Sequence, residues 1–176
     1  MLEIDGGLMT VAEFAEYVRS IQDYLEDVRL IIIHHTAAPD EKTWNRWGGW
    51  KYWKYILRRV YESRGWTKGP HLFIGPDGIG AFYTLERPGR AVGGGYGERG
   101  VRHIETVGNY HDHMPGGAIL QNVVGATTVL LKTLGLTTQH VTNHRRYVGP
   151  GVTECPGDYW NAHWEEFIKM LQKEGA

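Results

Sequence analysis

The chain is short of cysteine, of net charge and of long apolar runs, and each shortage removes a class of explanation. Cys155 is the only cysteine among 176 residues. No intramolecular disulfide can therefore staple the fold, and the thiol is left as core filler, nucleophile or metal ligand. Lys and Arg number 19 against 20 Asp and Glu, with a pI near 6.8. So close a balance gives no large basic field for the phosphate-directed part of nucleic-acid binding, and no nucleic-acid partner is expected. No apolar run approaches the roughly 20 residues that span a bilayer, so no membrane insertion is expected. The opening stretch MLEIDGGLMTVAEF is acidic and lacks the basic, apolar, small-residue order of a secretory signal. The expectation is a soluble monomer that begins in the cytoplasm. Internal repeats and linkers are missing too, and the length suits one domain.

What is present reads as alternating helices and strands. Thr10 and Glu13 form a T-x-x-E capping box ahead of Val11, Phe14, Val18, Ile21 and Leu25, which recur at helical spacing. LIIIHHTAA follows, an apolar run predicting a strand buried on both faces that delivers His34 and His35 at its carboxyl end. Adjacent strand residues face opposite ways, so one of the two histidines enters a given site. Between Thr43 and Tyr61, Trp44, Trp47, Trp50, Trp53 and Ile56 keep near-helical spacing across an interruption at Gly48 and Gly49, which predicts a helix with a weak start. HLFIGPDGIGAFYTLE reads as a hairpin turning at Pro76, Asp77 and Gly78.

Six glycines between Gly89 and Gly100 make a loop; no helical pattern follows them, as a phosphate cradle would require. HIETVGNY predicts a short strand, and Leu120, Val123, Val124, Thr127, Leu130, Leu131 and Leu134 predict a helix lying across the sheet. Asp158 is placed to cap a last helix carrying Trp160, Trp164, Phe167, Ile168 and Leu171. The fold class is α/β, a single domain with a central mixed sheet flanked by helices. Residues 1–27 are read as a helical segment packed on a domain spanning 28–176.

One histidine of the strand-end pair, His144 in a loop and Cys155 in the next turn bring two imidazoles and one thiolate from distant segments. Three N/S donors with a fourth position left to water is the pattern of a catalytic zinc site, whereas a structural site closes with four. The His144–Cys155 spacing is not that of a zinc finger. Cys–His nucleophilic catalysis is the rival chemistry, and a helix starting near Asp158 would help activate the thiol. On these residues alone, both stay open.

IIIHHTAA, GWTKGPHLFIGPDG, HIETVG and NHRRYVGPGVTECPG stand in the order and approximate spacing of a known family. Over roughly residues 28–165 the chain resembles the zinc-dependent N-acetylmuramoyl-L-alanine amidases, which include phage endolysins, cell-wall recycling amidases and animal peptidoglycan recognition proteins. The resemblance implies that family's fold, with His34, His144 and Cys155 as ligands of Zn2+. It implies bacterial peptidoglycan as the partner and hydrolysis of the amide between N-acetylmuramic acid and L-alanine of the stem peptide. Without a secretion signal, a phage-type endolysin acting on the wall after release is the leading expectation. A cytoplasmic recycling amidase and a zinc-free binding module are the alternatives, and the retained cysteine argues against the last.

The resemblance has one gap. Many members carry a catalytic Tyr before the His of the hairpin's first strand, where this chain has Pro70. Recycling amidases lack that Tyr and use a Glu in an I-E-x-x-G strand, which matches Ile104 to Gly108 and implies Glu105 as general base. Thr153 matches a position that contacts the developing oxyanion. Trp44, Trp47, His71 and Arg145 are assigned to substrate binding; core packing stands beside that role for the tryptophans and His71, and a solvated pair with Arg146 for Arg145. His35 is read as supporting the first ligand or packing within the sheet, and His111 and His113 as lining the groove or surface.

Overall fold

The computed structural model describes residues 2, 5–92 and 99–176. Positions 93–98 of the glycine-rich stretch read as a loop lie outside the described residues. The strands are β1 (Leu8–Met9), β2 (Leu30–His35), β3 (Leu72–Gly75), β4 (Gly78–Ala81), β5 (Val101–Thr106) and β6 (Val141–Asn143). They form one six-stranded sheet in the order β1-β4-β3-β5-β2-β6. β4 runs antiparallel to both β1 and β3, while the β3–β5, β5–β2 and β2–β6 pairs are parallel. The helices are α1 (Val11–Ser20), α2 (Glu41–Arg46), α3 (Trp50–Ser63), α4 (Gly117–Leu134), α5 (His144–Val148), α6 (Asp158–Ala162) and α7 (Trp164–Lys173). The mixed α/β architecture expected from the sequence is the one observed.

The two-residue period of the strands decides which side each element serves. Ile31, Ile33, Leu72, Ile74 and Ile104 face a core built with Phe14 and Val18 of α1, Val123 and Leu130 of α4 and Phe167 of α7. On the opposite face, Phe73 packs with Trp44, Trp50, Leu57 and Tyr61 of α2 and α3, while Ile32 packs with Val92 and Val101. β2 is therefore covered on both sides, which is why its sequence is continuously apolar. α4 has a mean hydropathy of 1.2 over 18 residues, a length and composition that membrane spans share. Here its apolar side is packed against α1, α7 and the sheet.

Four readings are corrected in detail. Residues 1–27 do more than pack on the domain, because β1 pairs with β4 and Leu2 is buried beside α3, its amide donating to Glu62 at 2.8 Å. A two-residue strand has no periodicity to read. The Trp-rich stretch is two helices, since Gly48 and Gly49 take φ values of 88° and 61° that no helix contains. HIETVGNY overlaps β5 only through Thr106, and the strand begins two residues before it at Val101. Asp158 is the first residue of α6 and not its cap, and the final helix is broken at His163.

The break before α3 is repaired from outside. Gly49 has no side chain to cap the helix, so Asp77 in the β3–β4 turn reaches across, accepting from the Trp50 amide at 2.7 Å and from Trp44 Nε1 at 2.7 Å. A Cβ on Gly49 would lie 2.3 Å from the Asp77 carboxylate. One carboxylate thus fixes α2 and α3 to the hairpin. Asp77→Ala is expected to cost about 1–3 kcal/mol, a lost cap plus an unpaired indole N–H. Urea denaturation checks this, and an unchanged midpoint would show that the bridge is dispensable.

Candidate metal centre

Three parallel strands end at one place. β2 delivers His34, β5 delivers Glu105, and β6 leads straight into His144, the first residue of α5. His144 is therefore helical and not in a loop. Its helix is capped by Asn143, whose side chain accepts from the Arg146 amide at 2.9 Å. Side chains at the carboxyl ends of parallel strands are the usual binding position in open α/β sheets.

The ligand atoms offered by His34, His144 and Cys155 all lie within 4.8 Å of one another. His34 Nδ1 is 3.7 Å from Cys155 Sγ, and the His34 and His144 ring centroids are 4.6 Å apart. Nitrogen and sulfur ligands at about 2.1 and 2.3 Å from a tetrahedral zinc are separated by about 3.6 Å. The donor set fits that ion in number, type and spacing. His35 points to the other face, where Tyr110 donates its amide to His35 Nδ1 at 3.4 Å. Only His34 enters the site, as the alternation requires.

The cysteine loop is held from several directions. The His35 amide donates to Cys155 Sγ at 3.3 Å, and the Cys155 amide donates to Thr153 Oγ1 at 3.2 Å. Arg145 donates its amide to the Cys155 carbonyl at 3.0 Å, Nη2 to the Glu154 carbonyl at 2.6 Å and Nη1 to Asp158 at 2.8 Å. Gly157, at φ 104°, lies against Tyr110 so closely that a Cβ would meet the Tyr110 carbonyl oxygen at 2.3 Å. The loop presenting the thiol is thereby docked on the segment that follows β5.

Burial drives the site toward neutral forms. His34 is held well below its ordinary value by desolvation and by the nearby His103 and His144. Burial likewise raises the Cys155 thiol, with Glu105 adding to the effect, and pushes Glu105 from 4.5 up to about 8. A divalent cation held among the three donors would reverse these penalties by stabilising thiolate and carboxylate.

Residues 24–158 match the family described as N-acetylmuramoyl-L-alanine amidase. The chain belongs to the N-acetylmuramoyl-L-alanine amidase family. It is an amidase that acts on peptidoglycan. No curated protein sequence matches it. Its fold is similar to that of the endolysin amidase LysCS from Clostridium intestinale URNW, at 20% identity and TM-score 0.62, covering 85% of this chain and 86% of that one. The amidase LysC from the same organism matches at 20% identity and TM-score 0.65, covering 85% and 88%. Drosophila PGRP-LB matches at 20% identity and TM-score 0.58, covering 77% and 78%.

Within this amidase the expected site residues separate. Glu105 is paired in register with His34 on the neighbouring strand, so both project from one face. Thr153 stands in the cysteine loop, with its hydroxyl hydrogen not consumed by the bond it accepts. Trp47 is 53% exposed and stacks on Tyr52. Trp44 and His71 are corrected from the substrate surface to the interior, both at 0% exposure. The Trp44 indole is engaged by Asp77, and His71 Nδ1 accepts from the His103 amide at 2.9 Å. Arg145 is half-buried and turned away from a substrate role, its two terminal guanidinium nitrogens donating to the Glu154 carbonyl and to Asp158. His111 lines a cavity of about 440 Å³ with Asp40, Asn109 and His113.

Sequence reading passed over His103, two residues before Glu105 and on the same face. Its Nδ1 is 3.2 Å from His34 Nε2. The signal was available in that period-two spacing.

The Glu105 shift carries a stability consequence for the metal-free protein. Between pH 4.5 and about 8 the unfolded carboxyl has lost its proton while the folded one keeps it, so stability falls as pH rises through that window. Glu105→Gln removes this dependence. In chelator, the variant should gain on the wild type by up to a few kcal/mol between pH 5 and pH 8.5. Thermal melts at the two pH values test it, and a constant difference would refute it.

Proposed function

We propose that His34, His144 and Cys155 hold a zinc ion and that Glu105 is the general base for cleaving the amide between N-acetylmuramic acid and L-alanine. The convergence of the three donors beside Glu105, at spacings a tetrahedral zinc requires, carries this reading. Bound zinc supplies Lewis-acid activation of water and of the scissile carbonyl.

The remaining chemistry belongs to the chain. Glu105 takes the proton of the attacking water and passes it to the departing L-alanine nitrogen. Its carboxyl starts near 8 from burial alone, and an adjacent cation draws it down toward neutrality, where a base works best. It fills the role left open by Pro70. Thr153 donates its hydroxyl hydrogen to the oxyanion, a single neutral hydrogen bond. Trp47 offers an exposed aromatic platform for sugar or peptide. The similarity to endolysin amidases supports a phage-type role, and the reading takes the chain as a monomer made in the cytoplasm that acts on the wall once released.

Mass spectrometry of purified peptidoglycan after digestion tests the reading. Stem peptides with a new L-alanine amino terminus are expected, lost with chelator and restored by zinc. Cleavage confined to soluble anhydromuropeptides would replace the endolysin role with recycling, and activity that survives chelation would remove the zinc. Glu105→Gln should lower kcat roughly 10²–10⁴-fold with zinc content unchanged.

A further inference from the structure

His34 has two ring nitrogens with two different neighbours. Nδ1 faces Cys155 Sγ at 3.7 Å, and Nε2 faces His103 Nδ1 at 3.2 Å. Both imidazoles are buried, at 1% exposure each. A nitrogen that gives its lone pair to a metal carries no hydrogen, so the other nitrogen of a neutral ring must carry it and needs an acceptor. Metal-bound histidines usually find that acceptor in a carboxylate, a backbone carbonyl or water. Here the atom in reach is a second imidazole.

His103 is itself placed by its surroundings. Its amide donates to His71 Nδ1 at 2.9 Å, and His71 Nε2 in turn donates to the Arg87 carbonyl at 3.0 Å. The His71 and His103 rings lie nearly parallel, 14° apart with centroids at 5.8 Å. His71 thus fixes both the strand and the plane against which the His103 ring rests. If His103 Nδ1 accepts from His34, its own hydrogen sits on Nε2, and among the described residues that buried atom has no hydrogen-bond partner. An unpaired buried N–H costs about 1–3 kcal/mol and calls for an explanation. Leu or Val at this position would pack without that cost, so the feature specific to the imidazole is its acceptor at Nδ1.

We infer that His103 is a positioning residue for the metal centre, its Nδ1 accepting from His34 Nε2–H and so holding His34 in the tautomer whose Nδ1 lone pair faces Cys155. This rests on the zinc reading proposed above. It assigns the His103–His71–Arg87 chain the task of orienting the first ligand, with no contact to substrate.

Two measurements test it. Long-range ¹H–¹⁵N NMR on histidine-labelled, metal-free wild type should show His34 with its hydrogen on Nε2, unchanged when zinc is added. In zinc competition against a chromophoric chelator, His103→Leu should weaken binding roughly 10–100-fold, while His103→Asn, whose Oδ1 falls near the Nδ1 position, should stay within about threefold of wild type. Metal-free His34 carrying its hydrogen on Nδ1 overturns the inference. So does wild-type zinc affinity in H103L, or equal loss in both variants. If H103L does not fold, the NMR result and H103N decide. Wild type that binds no zinc instead strikes the proposed function, and the NMR spectrum still reports the His34–His103 bond separately.

Discussion

The parallel register of β2 against β5 is the constraint on which the site depends. Ile32 pairs with His103 and His34 with Glu105. Because strand side chains alternate with a period of two, these four share one face, and a slip of one residue would send His34 into the apolar core against α4. Covering both faces of β2 makes such a slip expensive, since Ile31 and Ile33 would exchange places with a buried histidine. The hydrophobic packing therefore sets the geometry of the polar site, whose strand-borne side chains stand on a part of the sheet covered from both sides.

The third strand end and the cysteine loop complete the donor set by a different kind of force. β6 is only three residues long, and beyond it the chain is positioned by hydrogen bonds: Asn143 capping α5, and Arg145 spanning the Glu154, Cys155 and Asp158 segment. An arginine next to a histidine of the donor set looks like a substrate clamp in sequence. In the folded chain its donors are used to bring Cys155 within reach of His34.

Much of this was legible in the sequence, and the failures have physical causes. The capping box at Thr10, the hairpin at Pro76–Gly78 and the buried strand ending in His34 and His35 rest on local chemistry and appear as read. Two-residue β1 and three-residue β6 are too short to show a period, so the edge pairings and the helical setting of His144 were missed. Trp44 was misplaced because a stripe of aromatics at helical spacing looks the same whether it faces a cleft or a core. His71 was misplaced because a sequence does not show which face of the β3 entry is covered. The donor set of His34, His144 and Cys155 became specific only when several motifs were taken together. The pairing of His103 with His34 needs the register between strands distant in sequence, which no single segment carries.

The close approach of Gly157 to Tyr110 bears on how such an enzyme diversifies. Segments between a strand and the following helix are ordinarily free to lengthen and change, and they are where enzymes acquire new preferences. Here that segment carries the backbone on which the cysteine loop is seated, through Tyr110 and through His111 beside Asp158. Grafting a foreign loop at positions 109–113 would disturb the presentation of the thiol along with the groove. Adaptation to a new wall chemistry is thereby channelled toward surfaces that do not seat the cysteine loop.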